Sequence, residues 1–182
     1  TGIFCREKDT MANIVLIGMP GCGKSTVGVL LAKALGMRFL DTDVVFQAQQ
    51  GRKLQEMINE IGIDAFLNME EACICGIECD HTVIATGGSV VYGKKAMRHL
   101  HHNGLIVYIQ LPYKEIEKRL SNLATRGVTL REGQTLRDLY DERIPLYEAE
   151  ADIVFDASHE EIEQTTRELA DVISDRLREN NG

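Results

Sequence analysis

Residues 13–26 read Asn13-Ile14-Val15-Leu16-Ile17-Gly18-Met19-Pro20-Gly21-Cys22-Gly23-Lys24-Ser25-Thr26, and this order decides the fold. Ile14 to Ile17 form a short continuous apolar run, as expected of a strand over Asn13–Ile17 buried on both faces. Gly18 to Ser25 then satisfies the pattern G-x-x-x-x-G-K-[ST] between that strand and a following helix, which is the context that gives the pattern meaning. A loop of this kind curls its backbone N–H groups around phosphate oxygens, and the helix N-terminus behind it adds positive potential. On this reading Gly21, Cys22, Gly23, Lys24, Ser25 and Thr26 bind a nucleotide's phosphates. Lys24 reaches the β- and γ-phosphates, and the Ser25 hydroxyl ligates Mg²⁺. The plain alternative is a glycine-rich turn that caps a helix. Cys22 is read as a small spacer rather than a redox thiol.

Working outward, a helix is expected over Lys24 to Leu35, closed by Gly36, and a second strand over Arg38 to Asp41. Lys53 to Cys79 has helical character interrupted at Gly62. Strands are expected over Thr82 to Thr86, Leu105 to Gln110 and Ile153 to Phe155. Helices are expected over Lys94 to His102, Tyr113 to Leu123, Thr135 to Glu148 with an interruption at Pro145, and Glu160 to Arg178. Five strands alternating with helices imply an α/β fold, a three-layer α/β/α arrangement around a five-stranded parallel sheet, with ligands beyond the carboxyl ends of the strands. Residues 11–182 read as a single domain without repeats, and residues 1–10 as a leader or cloning remnant.

Composition narrows the class of function. The chain has 182 residues, 44% hydrophobic and 26% charged, with a net charge of -8. That balance is ordinary for a globular domain, and its sign disfavours nucleic acid as a partner. No apolar stretch approaches the roughly 20 residues of a bilayer span, and the first residues lack the basic-then-apolar order of a signal peptide. Five irregularly placed cysteines fit free thiols in a reducing compartment. The expectation is a cytoplasmic monomer with no membrane and no nucleic-acid partner.

Two further motifs fall at strand ends. Asp41-Thr42-Asp43 closes the second strand, where one carboxylate can hold a metal-bound water and the other accept a hydroxyl proton; capping of the next helix is the alternative use. Thr86-Gly87-Gly88-Ser89 closes the third, where paired glycines allow close backbone approach to a ligand. Together with Val83-Ile84-Ala85 and Arg143-Ile144-Pro145-Leu146-Tyr147, these motifs stand in the order and approximate spacing of one family. From Asn13 to about Asp156 the chain resembles shikimate kinase. The resemblance implies a nucleoside-monophosphate-kinase-like P-loop fold with a mobile lid at about residues 121–134, and transfer of the γ-phosphate of ATP, with Mg²⁺, to the 3-hydroxyl of shikimate. It implies that Asp43 holds the substrate hydroxyls and acts as base. Asp41 matches a carboxylate behind the Mg²⁺ ligands. Gly87 and Gly88 would contact the substrate, and Arg143 would grip its carboxylate. Arg126 matches the lid arginine that closes over the phosphates, and Arg119 the arginine beside the adenine. The catalytic set would thus be Lys24, Asp43 and Arg126, with Ser25 and Asp41 serving the metal.

Two positions depart from the family pattern. Where an arginine is expected directly after Phe66 this chain has Leu67, although Glu70 remains, so half of the carboxylate clamp is missing. A charge-assisted hydrogen bond contributes about 1.5 to 3 kcal/mol. Its loss should weaken acceptor binding unless another cation, such as Arg52, Lys53 or Lys94, moves in. Ser89 stands where a third glycine is usual. Both departures fall on the acceptor half, which keeps alive a related kinase acting on another hydroxylated acid such as a sugar acid. A nucleotide-binding regulatory protein without acceptor activity is the reading from a different class.

The remaining clusters have ordinary explanations. Cys73, Cys75 and Cys79 read as small helix residues rather than a metal cluster. His99, His101 and His102 lie at a helix end, where cations complement the macrodipole and Gly104 terminates the helix. The acidic stretch from Glu160 to Glu168 reads as the first turn and solvated face of the last helix. Thr125 to Gln134 holds two glycines and two arginines between helices. Phosphoryl transfer needs water excluded and charge neutralised, so this segment is read as a lid.

Overall fold

The computed structural model describes residues 12–121, 128–158 and 161–180. Its strands are β1 (Asn13–Ile17), β2 (Arg38–Asp41), β3 (Thr82–Ala85), β4 (Gly104–Gln110) and β5 (Ile153–Asp156). They form one sheet in the order β2-β3-β1-β4-β5, and every neighbouring pair is parallel. Ile14, Val15, Leu16 and Ile17 are all 0% exposed. Successive strand side chains point to opposite faces, so the centre of the sheet is covered on both. β5 closes one edge with Ile153 and Phe155 buried and Val154 exposed, the alternation of a strand covered on one face.

The order places the switch point at β1. The chain runs from β1 to β2 and β3 on one side, and to β4 and β5 on the other. Crevices at such points lie beyond the strands' carboxyl ends, and the glycine-rich loop leaves β1 there.

The helices are α1 (Lys24–Leu35), α2 (Thr42–Gln50), α3 (Leu54–Ile61), α4 (Ile63–Cys75), α5 (Lys94–His102), α6 (Tyr113–Ser121), α7 (Leu136–Glu150) and α8 (Ile162–Asn180), with a short 3₁₀ turn at Val90–Tyr92. α1 packs on α8 and α4 on α5. Besides the main core around the sheet, Phe46, Met57, Ile58, Phe66 and Cys73 build a second, smaller core between α2, α3 and α4. It is anchored by the Phe46 and Phe66 rings, 5.5 Å apart.

Three sequence expectations are corrected. The expected helical stretch to Cys79 ends at Cys75, where the Gly76 N–H bonds the Ala72 and Cys73 carbonyls and the Ile77 N–H bonds the Ile74 carbonyl, so Cys79 is not on a helix. Pro145 does not interrupt α7, which runs unbroken to Glu150. Proline cannot donate to the carbonyl a turn earlier, but Leu139, Arg143 and Tyr147 are all buried on one helix face, and that packing carries the helix through. Gly104 does not terminate α5; it opens β4, and Asn103 is the cap. Residues 1–10, Arg126 and most of the first half of the expected lid lie outside the described residues.

Candidate active site

The phosphate loop turns on Gly21 and Gly23, whose φ angles of 76° and 97° favour glycine. Lys24 is 7% exposed. Its Nζ donates to the Gly18 and Met19 carbonyls at 2.8 and 2.9 Å and lies 3.6 Å from Cys22 Sγ. The ammonium therefore holds the loop's shape from inside, and Cys22, 2% exposed, is packed as the spacer that the sequence suggests. Ser25 and Thr26 are exposed at the start of α1. Arg119, on α6, donates from Nη1 to the Gly21 carbonyl at 3.4 Å, so it lies across the loop from α1.

Asp41 does two jobs at once. Its Oδ1 caps α2 by accepting from the Asp43 and Val44 amides at 2.9 and 3.3 Å, while its Oδ2 accepts from Ser25 Oγ at 2.6 Å. The capping use and the site use are thus both realised. The Ser25 hydroxyl and Asp41 carboxylate are hard oxygen donors, side by side at the loop. That donor set fits Mg²⁺, which keeps several waters and takes few protein ligands beside substrate phosphates.

Around Gly87 and Gly88 the acceptor half comes together. A Cβ on Gly87 would stand 2.7 Å from both Asp43 Oδ1 and Glu70 Oε1. One on Gly88 would stand 2.7 Å from the Pro20 ring and 3.0 Å from Arg143 Nη1. Neither position tolerates a side chain, because two carboxylates, the loop's proline and a guanidinium already occupy the space. The Gly87 amide donates to Thr42 Oγ1 at 3.3 Å, tying the turn to the start of α2.

Burial pushes the Asp43 carboxyl up to about 6; neighbouring Asp41 adds to the rise and Lys24 opposes it. Glu70, 5% exposed, is pushed up to about 7, again chiefly by burial. The hydrogen bond from Ser89 Oγ at 2.7 Å opposes this, Asp43 adds to it, and Arg143 opposes it. Arg143 is 1% exposed. Its Nε donates to Tyr92 Oη at 3.3 Å and its Nη2 to Thr129 Oγ1, while the Tyr92 ring lies under the guanidinium at 5.1 Å. Its hydrogen-bond partners among the described residues are neutral hydroxyls. Tyr147 donates to the Gly88 carbonyl at 2.5 Å and completes the wall.

The structure therefore brings together Lys24, Ser25, Asp41, Asp43, Gly87, Gly88 and Arg143, with Arg119 at the loop; Arg126 is outside the described residues. Arg52, Lys53 and Lys94 do not fill the missing cation's place. All three are exposed, and Arg52 pairs with Glu60. Sequence reasoning gave no part to Tyr92, and it placed Thr129 in the lid segment and Tyr147 in the Arg143 motif without a role of their own. The spacing of Arg143 and Tyr147, one turn apart on α7, was the available signal for Tyr147; Thr129 carried none. Among the described residues no three His, Cys, Asp or Glu side chains, Cys73, Cys75 and Cys79 included, gather as a metal site. His99 bonds the Ile77 carbonyl and His101 the Glu150 carboxylate.

Comparison with known proteins bears on the same residues. A family model described as shikimate kinase matches residues 20–174. A shikimate kinase from Clostridium botulinum strain Eklund 17B is 39% identical over 137 residues, covering 74% of this chain and 81% of that protein. One from Nostoc sp. is 36% identical over 172 residues, covering 92% and 93%. Among solved structures, a shikimate kinase from Acinetobacter baumannii in complex with shikimate superposes with a TM-score of 0.80 at 29% identity, covering 94% of this chain and 96% of that one.

Proposed function

Since the chain belongs to the shikimate kinase family, we propose that it transfers the γ-phosphate of Mg²⁺·ATP to the 3-hydroxyl of shikimate. The observation that carries the acceptor is Arg143. A guanidinium 1% exposed, hydrogen-bonded among the described residues only to hydroxyls and set with Nη1 3.0 Å from the point a Cβ on Gly88 would take, is prepared for a planar carboxylate. Asp43 and Glu70 face the same space, where carboxylate oxygens accept from the ring hydroxyls of a polyhydroxy acid.

Each residue then has a distinct part. Asp43 accepts the proton of the attacking hydroxyl; its carboxyl, pushed up to about 6, is ionised at neutral pH yet basic enough to take it. Lys24 and the loop amides offset charge on the β- and γ-phosphates, and Arg119 lies on the nucleotide side of the loop. Ser25 and Asp41 would hold Mg²⁺, which when bound neutralises phosphate charge and aligns the transferring group. Arg126 is assigned by its sequence position to the lid over the phosphates. One chain supplies Lys24, Asp41, Asp43 and Arg143, which supports action as a monomer. No described helix is long and apolar enough to cross a membrane, and Cys22, Cys73, Cys75 and Cys79 are free thiols, which supports a reducing cytoplasm.

Substitution of the anchor tests the acceptor. Arg143→Ala should raise the shikimate KM at least about tenfold, equivalent to about 1.4 kcal/mol, with the ATP KM little changed, and Arg143→Lys should recover only part. An unchanged shikimate KM in Arg143→Ala would remove the carboxylate from this position.

A further inference from the structure

One buried carboxylate of the acceptor half faces the acceptor's hydroxyls but takes no proton and touches no phosphate in the transfer just described. Glu70 projects from α4 into the space over Gly87, where its Oε1 and Asp43 Oδ1 approach the same point. Its ion-pair partners among the described residues number none. One turn earlier on α4 stands apolar Leu67, packed against the small core of Phe46, Met57 and Phe66. What fixes Glu70 is a neutral group: Ser89 Oγ, itself 6% exposed, donates to Oε2 at 2.7 Å. Since neither Gly87 nor Gly88 has room for a side chain, Ser89 is the first residue after β3 and Thr86 that can reach this carboxylate.

We infer that Ser89 is a specificity-determining positioning residue. Its hydroxyl takes Oε2 of Glu70 and thereby aims Oε1 beside Asp43, so that two carboxyl oxygens read the acceptor's hydroxyl face while Arg143 alone reads its carboxylate. This rests on the proposed function for the identity of the acceptor, but the Ser89–Glu70 contact stands independently of it. A buried carboxyl held by a hydroxyl keeps its orientation only through that bond. Without the bond it rotates away or turns toward Arg143, at the cost of hydroxyl recognition. The same geometry makes Ser89 and Leu67 interdependent. An arginine introduced at 67 competes with Ser89 for Glu70, so it should gain little while Ser89 is present and more when Ser89 is glycine.

The charged and titratable groups facing Glu70 are Asp43 from α2, Arg143 from α7 and Cys73 from its own helix; Lys24 and Asp41 act on Asp43. Glu71 is turned away, accepting from the Lys95 amide. Because the Ser89 hydrogen bond favours the ionised carboxylate, removing it moves the Glu70 titration to higher pH.

The test is a set of variants assayed for shikimate KM and kcat as a function of pH, with a ¹³C-carboxyl NMR titration of the free protein in which Glu70→Gln assigns the Glu70 resonance. Ser89→Ala should raise the shikimate KM roughly three- to tenfold, as expected of one lost hydrogen bond. It should leave kcat and the ATP KM nearly unchanged and shift the Glu70 titration upward, and Ser89→Thr should restore both the shikimate KM and the titration. In a Glu70→Gln background Ser89→Ala should add little. Leu67→Arg should tighten shikimate more beside Ser89→Gly than beside Ser89. If Ser89→Ala leaves KM and the Glu70 titration where they are, or acts undiminished in Glu70→Gln, the inference is overturned. Should the parent protein not phosphorylate shikimate at all, the proposed acceptor fails while the carboxyl titration still decides whether Ser89 positions Glu70.

Discussion

Asp41 and Asp43 lie two residues apart and do different chemistry because of what each touches. Asp41 is spent on the α2 amides and on Ser25, whereas Asp43 points at Gly87 beside Glu70. Asp43→Asn should therefore lower kcat by about a hundredfold or more, since an amide can accept a hydrogen bond but not a proton, and should change ATP affinity little. Equal losses in turnover and ATP affinity would place Asp43 on the nucleotide side instead. The parent's pH profile carries the same signature. The base must be ionised, so kcat should fall as pH drops through about 6, and that limb should vanish in Asp43→Asn. The dyad and its neighbourhood were legible in sequence because the motif sits at a strand end. The convergence with Glu70 was not, because no spacing between residue 43 and residue 70 reports a contact made across separate helices.

At the scale of elements, close approach of backbones sets what the sheet tolerates. Gly104 opens β4 directly after α5, and a Cβ there would stand 2.6 Å from the Leu100 carbonyl and 2.9 Å from Val15 Cγ2. The first of these is fixed backbone and the second a fully buried strand residue, so neither yields cheaply. Gly104→Ala should destabilise the fold by about 1 to 3 kcal/mol, a fall of a few degrees in Tm, with shikimate and ATP KM values near the parent's because the substitution lies at the end of the sheet opposite the site. An unchanged Tm would show that β4 can slide away from α5. In the sequence this glycine reads as a helix stop. The physical reason for it lies in a neighbour four residues back and a strand some 90 residues earlier, which local pattern does not carry. α2 was foreseen only as a helix that the aspartate pair could cap, without bounds, for a related reason: Asp41 is at once the last residue of β2 and the cap of α2, so no loop residues separate the two elements. β1, α1, β2 and α5, in contrast, have the expected bounds, because an apolar run, a glycine stop or a polar turn marks each end.

For the molecule as a whole, the sheet order β2-β3-β1-β4-β5 brings a loop at residues 18–26, a strand end at 41–43, a turn at 87–89 and a helix at 136–150 to one end. The alternation of strands and helices was enough to expect that end as the site. The depth at which Arg143 is held by Tyr92 and Thr129 depended on packing that only the fold supplies. The family and the arrangement together make one claim, that ATP turnover here is coupled to a specific hydroxylated carboxylate. The measurement that tests it most directly is ADP release by the purified protein with Mg²⁺·ATP, with and without shikimate, with the phosphorylated product identified. Shikimate should raise ADP release far above the basal rate, one ADP for each shikimate 3-phosphate formed. ADP release indifferent to shikimate, or stimulated only by a different hydroxylated acid, would contradict it.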